Sequence, residues 1–263
     1  MQNFRQRVQL EIDAGIARVQ LARPDKRNAL DLPMFEAIVD AQRAVSQRKD
    51  ARVVILSGDG EDFCAGLDIK AMLSKRSSTL RLLWKWWPWS PNLAQQVSVG
   101  WRNLRVPVIA AIQGNCLGGG LQIALGADFR MAHPQARLSI MESRWGLIPD
   151  MGGTLALREL LPRDQAMRLA MTAETFTAEQ ALQLGLVSAV CDKPATASQE
   201  LAQALRARSP DAVNSIKRLF RKSWNGSAGS ALARESLYQI GVLSGKNQRI
   251  AVQRESGKDL PYV

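Results

Sequence analysis

The chain has 263 residues, 46% hydrophobic and 22% charged, and carries a net charge of +11 from 35 Lys and Arg against 24 Asp and Glu. This is enough apolar chain for a large core without disulfide or metal staples, and the composition is that of a globular protein. Cys64, Cys116 and Cys191 are too scattered for a disulfide framework or a zinc pattern, the start MQNFRQRVQLEID is too polar for a signal peptide, and no apolar run approaches a membrane span. A reducing, cytoplasmic location with no membrane partner is the expectation. The basic residues are dispersed, which reads as a solvated surface. An anionic small ligand stays open and a nucleic-acid partner is not expected.

In chain order, RVQLEID and IARVQLA flank Ala14 and Gly15 as a hairpin. RPDKRNAL follows as a loop. LDLPMFEAIVDAQRAVSQRKD has helical spacing, with Asp31 as N-cap and Pro33 in the first turn. ARVVILSG reads as a strand buried on both faces, ending in the loop GDGEDFCAG, and LDIKAMLSK as a helix. Residues 76–92, RSSTLRLLWKWWPWSPN, crowd Trp84, Trp86, Trp87 and Trp89 between helix-breaking Pro88 and Pro91. They read as an insert or lid, with two alternatives: a wall of an apolar pocket, or a core or subunit-contact patch. LAQQVSVGWRNLR is helical, VPVIAAIQG a buried strand, and the glycines of NCLGGGLQIALGAD open a helix that gives way to the strand ADFRMA. From Pro162 the pattern is helical. Thr177 and Gln180 have capping-box spacing, Gly185 closes that helix, Ser209 and Pro210 start the next, and SALARESLYQIGVLSG is a further one. The division is an α/β core over residues 1–190 and a helical region over 191–263, without internal repeats.

Phosphate-loop, HExxH and GxSxG patterns are missing from the sequence. A Ser-His-Asp triad would need the single histidine, His133, whose place beside Pro134 suits a structural role better. Three other stretches fit together: DFCAGLDIKAM, IQGNCLGGGLQIALGADFRMA and SIMESRWGLIPDMGGT. In the first two a buried strand ends, a glycine turn follows and a helix begins. Helix starts present unpaired N–H groups. Two such turns facing each other would hold one developing oxyanion, the demand of enolate chemistry on a thioester.

Together with LARPDKRNALDLPM and TAEQALQLGLVSAV, these motifs resemble the enoyl-CoA hydratase/isomerase (crotonase) family over nearly the whole chain. The resemblance implies a spiral of ββα units, a helical C-terminal trimerisation region and a homotrimer or dimer of trimers. It implies an acyl-CoA thioester substrate and no cofactor beyond the coenzyme A that the substrate carries. It makes the backbone N–H groups of Leu67 and Gly119 the oxyanion hole, with Gly118 and Gly120 allowing close approach. It brings Ala65, Asp68, Ile69, Gly118 and Trp145 to the substrate, and Lys26 and Arg27 either to the CoA phosphates or to a solvated surface. The tail SGKNQRIAVQRESGKDLPYV departs from the family's usual ending, which leaves the assembly open.

The family's hydratases use two glutamates, one to activate water and one to protonate the α carbon. The first falls at Gln122 here and the second at Glu142. An amide orients by hydrogen bonds but cannot take and return a proton at neutral pH, so water addition should be impaired. Asp150, eight residues past Glu142, stands where the family's dienoyl-CoA isomerases carry an aspartate, although those enzymes also have an acid at the Gln122 position. Asp150 reads equally as an N-cap of the following helix. Isomerisation of 3,5-dienoyl-CoA to 2,4-dienoyl-CoA, or of 3-enoyl-CoA to 2-enoyl-CoA, is therefore expected, with Glu142, Asp150 and Gln122 as the catalytic set. The alternatives are a hydratase acting through Glu142 with Asp150 or a water held by Gln122, and a non-catalytic acyl-CoA or RNA binder.

Overall fold

A computed structural model describes residues 1–73 and 76–263, with side chains described outside residues 73–79. Strands β1 (Gln2–Phe4), β2 (Val8–Asp13) and β3 (Ile16–Leu21) form an antiparallel meander. The β2–β3 turn has both central residues at positive φ, Ala14 at 46° and Gly15 at 81°, the geometry that suits a tight hairpin. Helix α1 (Leu32–Gln47) leads to β4 (Val53–Gly58). The Asp31 carboxylate caps α1 by accepting the Met34 N–H at 2.9 Å, and Arg7 holds the same carboxylate at 2.9 Å. Then come α2 (Ile69–Leu73), α3 (Arg76–Leu83) and α4 (Leu93–Asn103). The helix expected over LDIKAMLSK is thus seen as α2; Ser74 and Lys75 lie outside the described residues.

The next turns are compact: β5 (Val108–Ile112), β6 (Asn115–Leu117) and α5 (Gly119–Leu125), then β7 (Phe129–Ala132) and β8 (Arg137–Ser139). Helices α6 (Gly153–Leu160) and α7 (Arg163–Thr172) follow, then β9 (Phe176–Thr177), α8 (Ala178–Gln183) and β10 (Ala189–Val190). The chain ends with α9 (Pro194–Arg206), α10 (Pro210–Ser223), α11 (Ala228–Leu243) and α12 (Lys246–Glu255). The expected capping box at Thr177 and Gln180 forms, and Ser209 caps α10.

Two sheets result. The larger runs β1-β2-β3-β4-β5-β7-β10 and is parallel from β3 onward; the smaller runs β6-β8-β9. Three strands of the large sheet are followed by a short partner in the small layer. β5 is followed by β6 and β7 by β8, and β4 by residues around Cys64, which bridges Cys116. Repeated ββα turns stack as a spiral although the sequence shows no repeat. This is an α/β crotonase fold. The continuous apolar runs have the reason expected of a sheet covered on both faces. Val54, Leu56, Ala110 and Ile112 point into the main core, while Val53, Ile55, Ile109 and Ala111 meet Leu201, Ala202 and Leu205 of α9. Helix α10 is tied on by Lys217, whose ammonium is buried against Asp128 at 2.7 Å and also donates to Trp101 O and Val106 O. From Pro162 the chain is not wholly helical: β9 and β10 are two-residue strands that close the two sheets.

Candidate active site

The two glycine turns lie side by side. Beyond β4 the chain runs parallel to β6, with Cys64 bridging Cys116, and then pairs with Leu30 on its other edge. The Leu30 N–H donates to Gly66 O at 2.8 Å and the Asp68 N–H to Leu30 O at 3.0 Å. Since Gly66 and Asp68 turn their groups toward Leu30, alternation directs the Leu67 N–H the opposite way, toward β6 and its glycines. Gly119 is the first residue of α5, so its N–H has no acceptor within the helix. A Cβ on Gly66 would lie 2.9 Å from Leu117 O, and one on Gly120 2.7 Å from Cys64 O. Only side-chain-free backbone permits this approach. Leu67 and Gly119 both line one cavity of about 380 Å³.

Glu142 stands on the single 3-10 turn after β8, with its backbone carbonyl accepting the Leu147 N–H at 3.1 Å. Its Oε1 accepts the Gln122 Nε2–H at 2.5 Å; its Oε2 is buried and has no hydrogen-bond partner among the described residues. Burial pushes the Glu142 carboxyl above its ordinary value, the Gln122 hydrogen bond opposes that, and the neighbouring Asp150 charge adds to it. Asp150 sits in the loop leading into α6 and lines the same cavity. Burial raises its carboxyl too. The helix-cap alternative does not hold: the N-cap of α6 is Gly152, at φ 84°, two residues past Asp150, and the first N–H of that helix donates to Gln122 instead.

Gln122 is 1% exposed and is absent from the cavity wall. Its Oε1 accepts the N–H groups of Met151 (3.0 Å) and Gly153 (3.1 Å) while its Nε2 holds Glu142. Both lone-pair positions of the amide oxygen are used. The side chain is a buried clasp joining α5, the Asp150 loop and the Glu142 carboxylate. It offers no acceptor to a water in the cavity.

Of the other expected contacts, Ala65, Ile69, Gly118 and Trp145 line the cavity. Asp68 does not. Its carboxylate pairs with Arg23 at 2.9 Å and accepts the Ala71 N–H at 3.1 Å, a cap on α2. Lys26 and Arg27 are exposed outside the cavity, with Arg27 Nε 3.8 Å from Asp62. Of the two alternatives for the Trp cluster, a wall of this cavity is not formed, although Trp89 lines a neighbouring cavity that shares Asp150. Leu82 and Leu83 reach the cavity from α3, while Trp84, Trp86, Trp87 and Trp89 are largely exposed. The rest of the wall is Phe35, Met72, Ala94, Met141, Leu147 and Met151. Sequence reading passed over these residues because an apolar side chain on an amphipathic helix looks the same facing a core or a pocket. Among the described residues there is no cluster of three or more His, Cys, Asp or Glu that would hold a metal. Nor, among the described residues, is any helix long and apolar enough to cross a membrane.

The sequence model of the enoyl-CoA hydratase/isomerase family matches residues 11–248. Enoyl-CoA hydratase EchA19 of Mycobacterium tuberculosis is 35% identical over 78% of this chain and 76% of its own length. The peroxisomal Delta(3,5)-Delta(2,4)-dienoyl-CoA isomerase of Arabidopsis thaliana is 29% identical, covering 95% of this chain and 92% of its own. The crystal structure of an enoyl-CoA hydratase from Bacillus anthracis superposes with a TM-score of 0.88 at 27% identity, covering 98% of this chain and 99% of that one. Facing N–H turns, a carboxylate beside them and an apolar cavity between make chemical sense of that match, and the chain belongs to the enoyl-CoA hydratase/isomerase family of acyl-CoA enzymes.

Proposed function

We propose that this enzyme isomerises unsaturated acyl-CoA thioesters, moving a proton between Glu142 and Asp150 along the acyl chain. The thioester oxygen accepts from the Leu67 and Gly119 N–H groups, which stabilise the enolate. Glu142 lies beside this oxyanion site: a Cβ on Gly118 would be 3.6 Å from its Oε1. With a 3,5-dienoyl-CoA, Glu142 takes the proton next to the thioester. The electron pair delocalises onto the carbonyl oxygen and, through the two double bonds, to the far carbon, where a protonated Asp150 gives its proton to yield the 2,4-dienoyl-CoA. A 3-enoyl-CoA needs Glu142 alone. Lys26 and Arg27 are basic groups for the CoA phosphates. A homotrimer or dimer of trimers completes the reading, supported by exposed apolar side chains on the last helices, among them Phe220, Trp224, Leu237 and Ile240.

The observation that carries this reading is the state of Gln122. Hydration asks for a second carboxylate at that position, and the group there is an amide with its oxygen already occupied by Met151 and Gly153. The second carboxylate of the cavity is Asp150, which is not the N-cap of α6. Hydration through Glu142 and Asp150 is the second reading, favoured by the hydratase name of the Mycobacterium tuberculosis relative. The test is the rise of 2,4-dienoyl absorbance from a 3,5-dienoyl-CoA, with Asp150→Asn beside the parent. Fast conversion that collapses in the variant is expected. No conversion by the parent contradicts the proposal.

A further inference from the structure

From Ile69 to Asn92 the sequence holds Lys70, Lys75, Arg76, Arg81 and Lys85 and no Asp or Glu, although Arg81 pairs with Glu36 of α1 and Lys85 Nζ donates to Pro88 O. Within it, Leu80 is 73% exposed and Leu83 50%, and the four indoles of Trp84, Trp86, Trp87 and Trp89 are 69%, 92%, 64% and 88% exposed. None of these indoles lines the catalytic cavity, although Trp89, with Lys85, lines a neighbouring cavity that shares Asp150. The described part of the segment, from Leu80 to Asn92, is packed and hydrogen-bonded. Helix α3 packs against α2 and α4, the Ser90 hydroxyl donates to Trp87 O at 2.8 Å, and the Asn92–Gln95 capping box fixes where α4 begins. Five large apolar side chains, Leu80 and the four indoles, are therefore held out of the fold as a ledge between Leu80 and Trp89.

We infer that this ledge docks the enzyme on an anionic lipid surface. Indole has an apolar body and one N–H, and it settles at the boundary between acyl chains and headgroups. Lys and Arg extend their charges to lipid phosphates while their stems lie along apolar surface. A cationic, acid-free segment with exposed Trp and Leu is the composition that lies in an interface without crossing it. The charge of the whole chain, +11, adds long-range attraction to such a surface. A second copy of this equally basic chain is a poorer occupant, because the cations of the ledge would meet net positive charge. Leu82 and Leu83 reach the cavity from the same helix, so docking sets the cavity mouth near the bilayer.

The experiment is flotation of the full chain with vesicles of phosphatidylcholine alone and of phosphatidylcholine with phosphatidylglycerol, at low and high salt. A Trp86→Ser/Trp89→Ser variant runs beside it, altering only side chains that are almost wholly exposed, so its circular dichroism should match the parent. Binding to the anionic vesicles is expected, weakened by salt and reduced tenfold or more in the variant. Brominated acyl chains should quench the parent's tryptophan emission and spare the variant's. Absence of binding, or equal binding of the variant, overturns the inference. So does a change of sedimentation mass in the variant without vesicle binding by the parent, which would assign the ledge to a second copy.

Discussion

Gln122→Glu puts a carboxylate where the family's hydratases have one, and the structure sets the magnitude. The new oxygen would stand 2.5 Å from Glu142 Oε1, in place of the amide nitrogen. At an effective dielectric of about 20, two full charges at that distance repel by roughly 7 kcal/mol, which corresponds to about five pKa units. The two carboxyls therefore share one proton through the neutral range, as a coupled pair. That proton replaces the lost N–H donor, and the other oxygen still accepts from Met151 and Gly153. The fold should survive with little change in Tm near neutrality and lose stability at alkaline pH as the shared proton leaves. Glu142 lines the cavity and shares this proton with the new carboxyl, so the pair acts there through Glu142; a positioned acid–base group contributes typically 10²–10⁴-fold, and hydration of a short 2-enoyl-CoA should rise by about a hundredfold or more. The assay is the loss of enoyl thioester absorbance. A variant that folds, holds the shared proton and hydrates no faster than the parent would refute the reasoning that Gln122 is what withholds hydration.

Glu142→Gln should abolish turnover and raise thermal stability near neutral pH. Burial raises the folded carboxyl above its unfolded value, so the parent is most stable below the unfolded value and loses stability as pH rises through the folded one. The variant's Tm advantage should therefore grow as pH rises from the ordinary carboxylate range toward neutrality; a constant difference would contradict it. Gly120→Ala would drive a Cβ to 2.7 Å from the Cys64 carbonyl and splay the two oxyanion turns. It should cost about 1–3 kcal/mol in urea unfolding and lower kcat more than it raises KM. Lys217→Met leaves Asp128 and two core carbonyls without their buried ammonium, and should cost about 3 kcal/mol by the same urea midpoints.

Legibility in the sequence followed how local each determinant is. The Ala14–Gly15 hairpin, the Asp31 cap, the Thr177–Gln180 box and the two-sided burial of β4 and β5 are written in adjacent residues, and they appear in the structure as read. Strands β6, β8, β9 and β10 span two or three residues, too few for a period to register; stacking of spiral turns makes them strands. The site divides the same way. Glu142, Gln122 and the glycine turns sat at motif spacing. The Asp68 pairing with Arg23 and the direction of the Trp cluster depend on where distant helices lie. For Asp150, one residue type serves equally as cap and as acid. Only the position of the α6 start, at Gly152, separates the two.

The central claim is tested most directly by the product formed from a 3,5-dienoyl-CoA in heavy water. The account predicts a 2,4-dienoyl-CoA that carries deuterium and has gained no water, with its formation lost in both Glu142→Gln and Asp150→Asn. A product heavier by one water, or one formed equally well by Asp150→Asn, would contradict it.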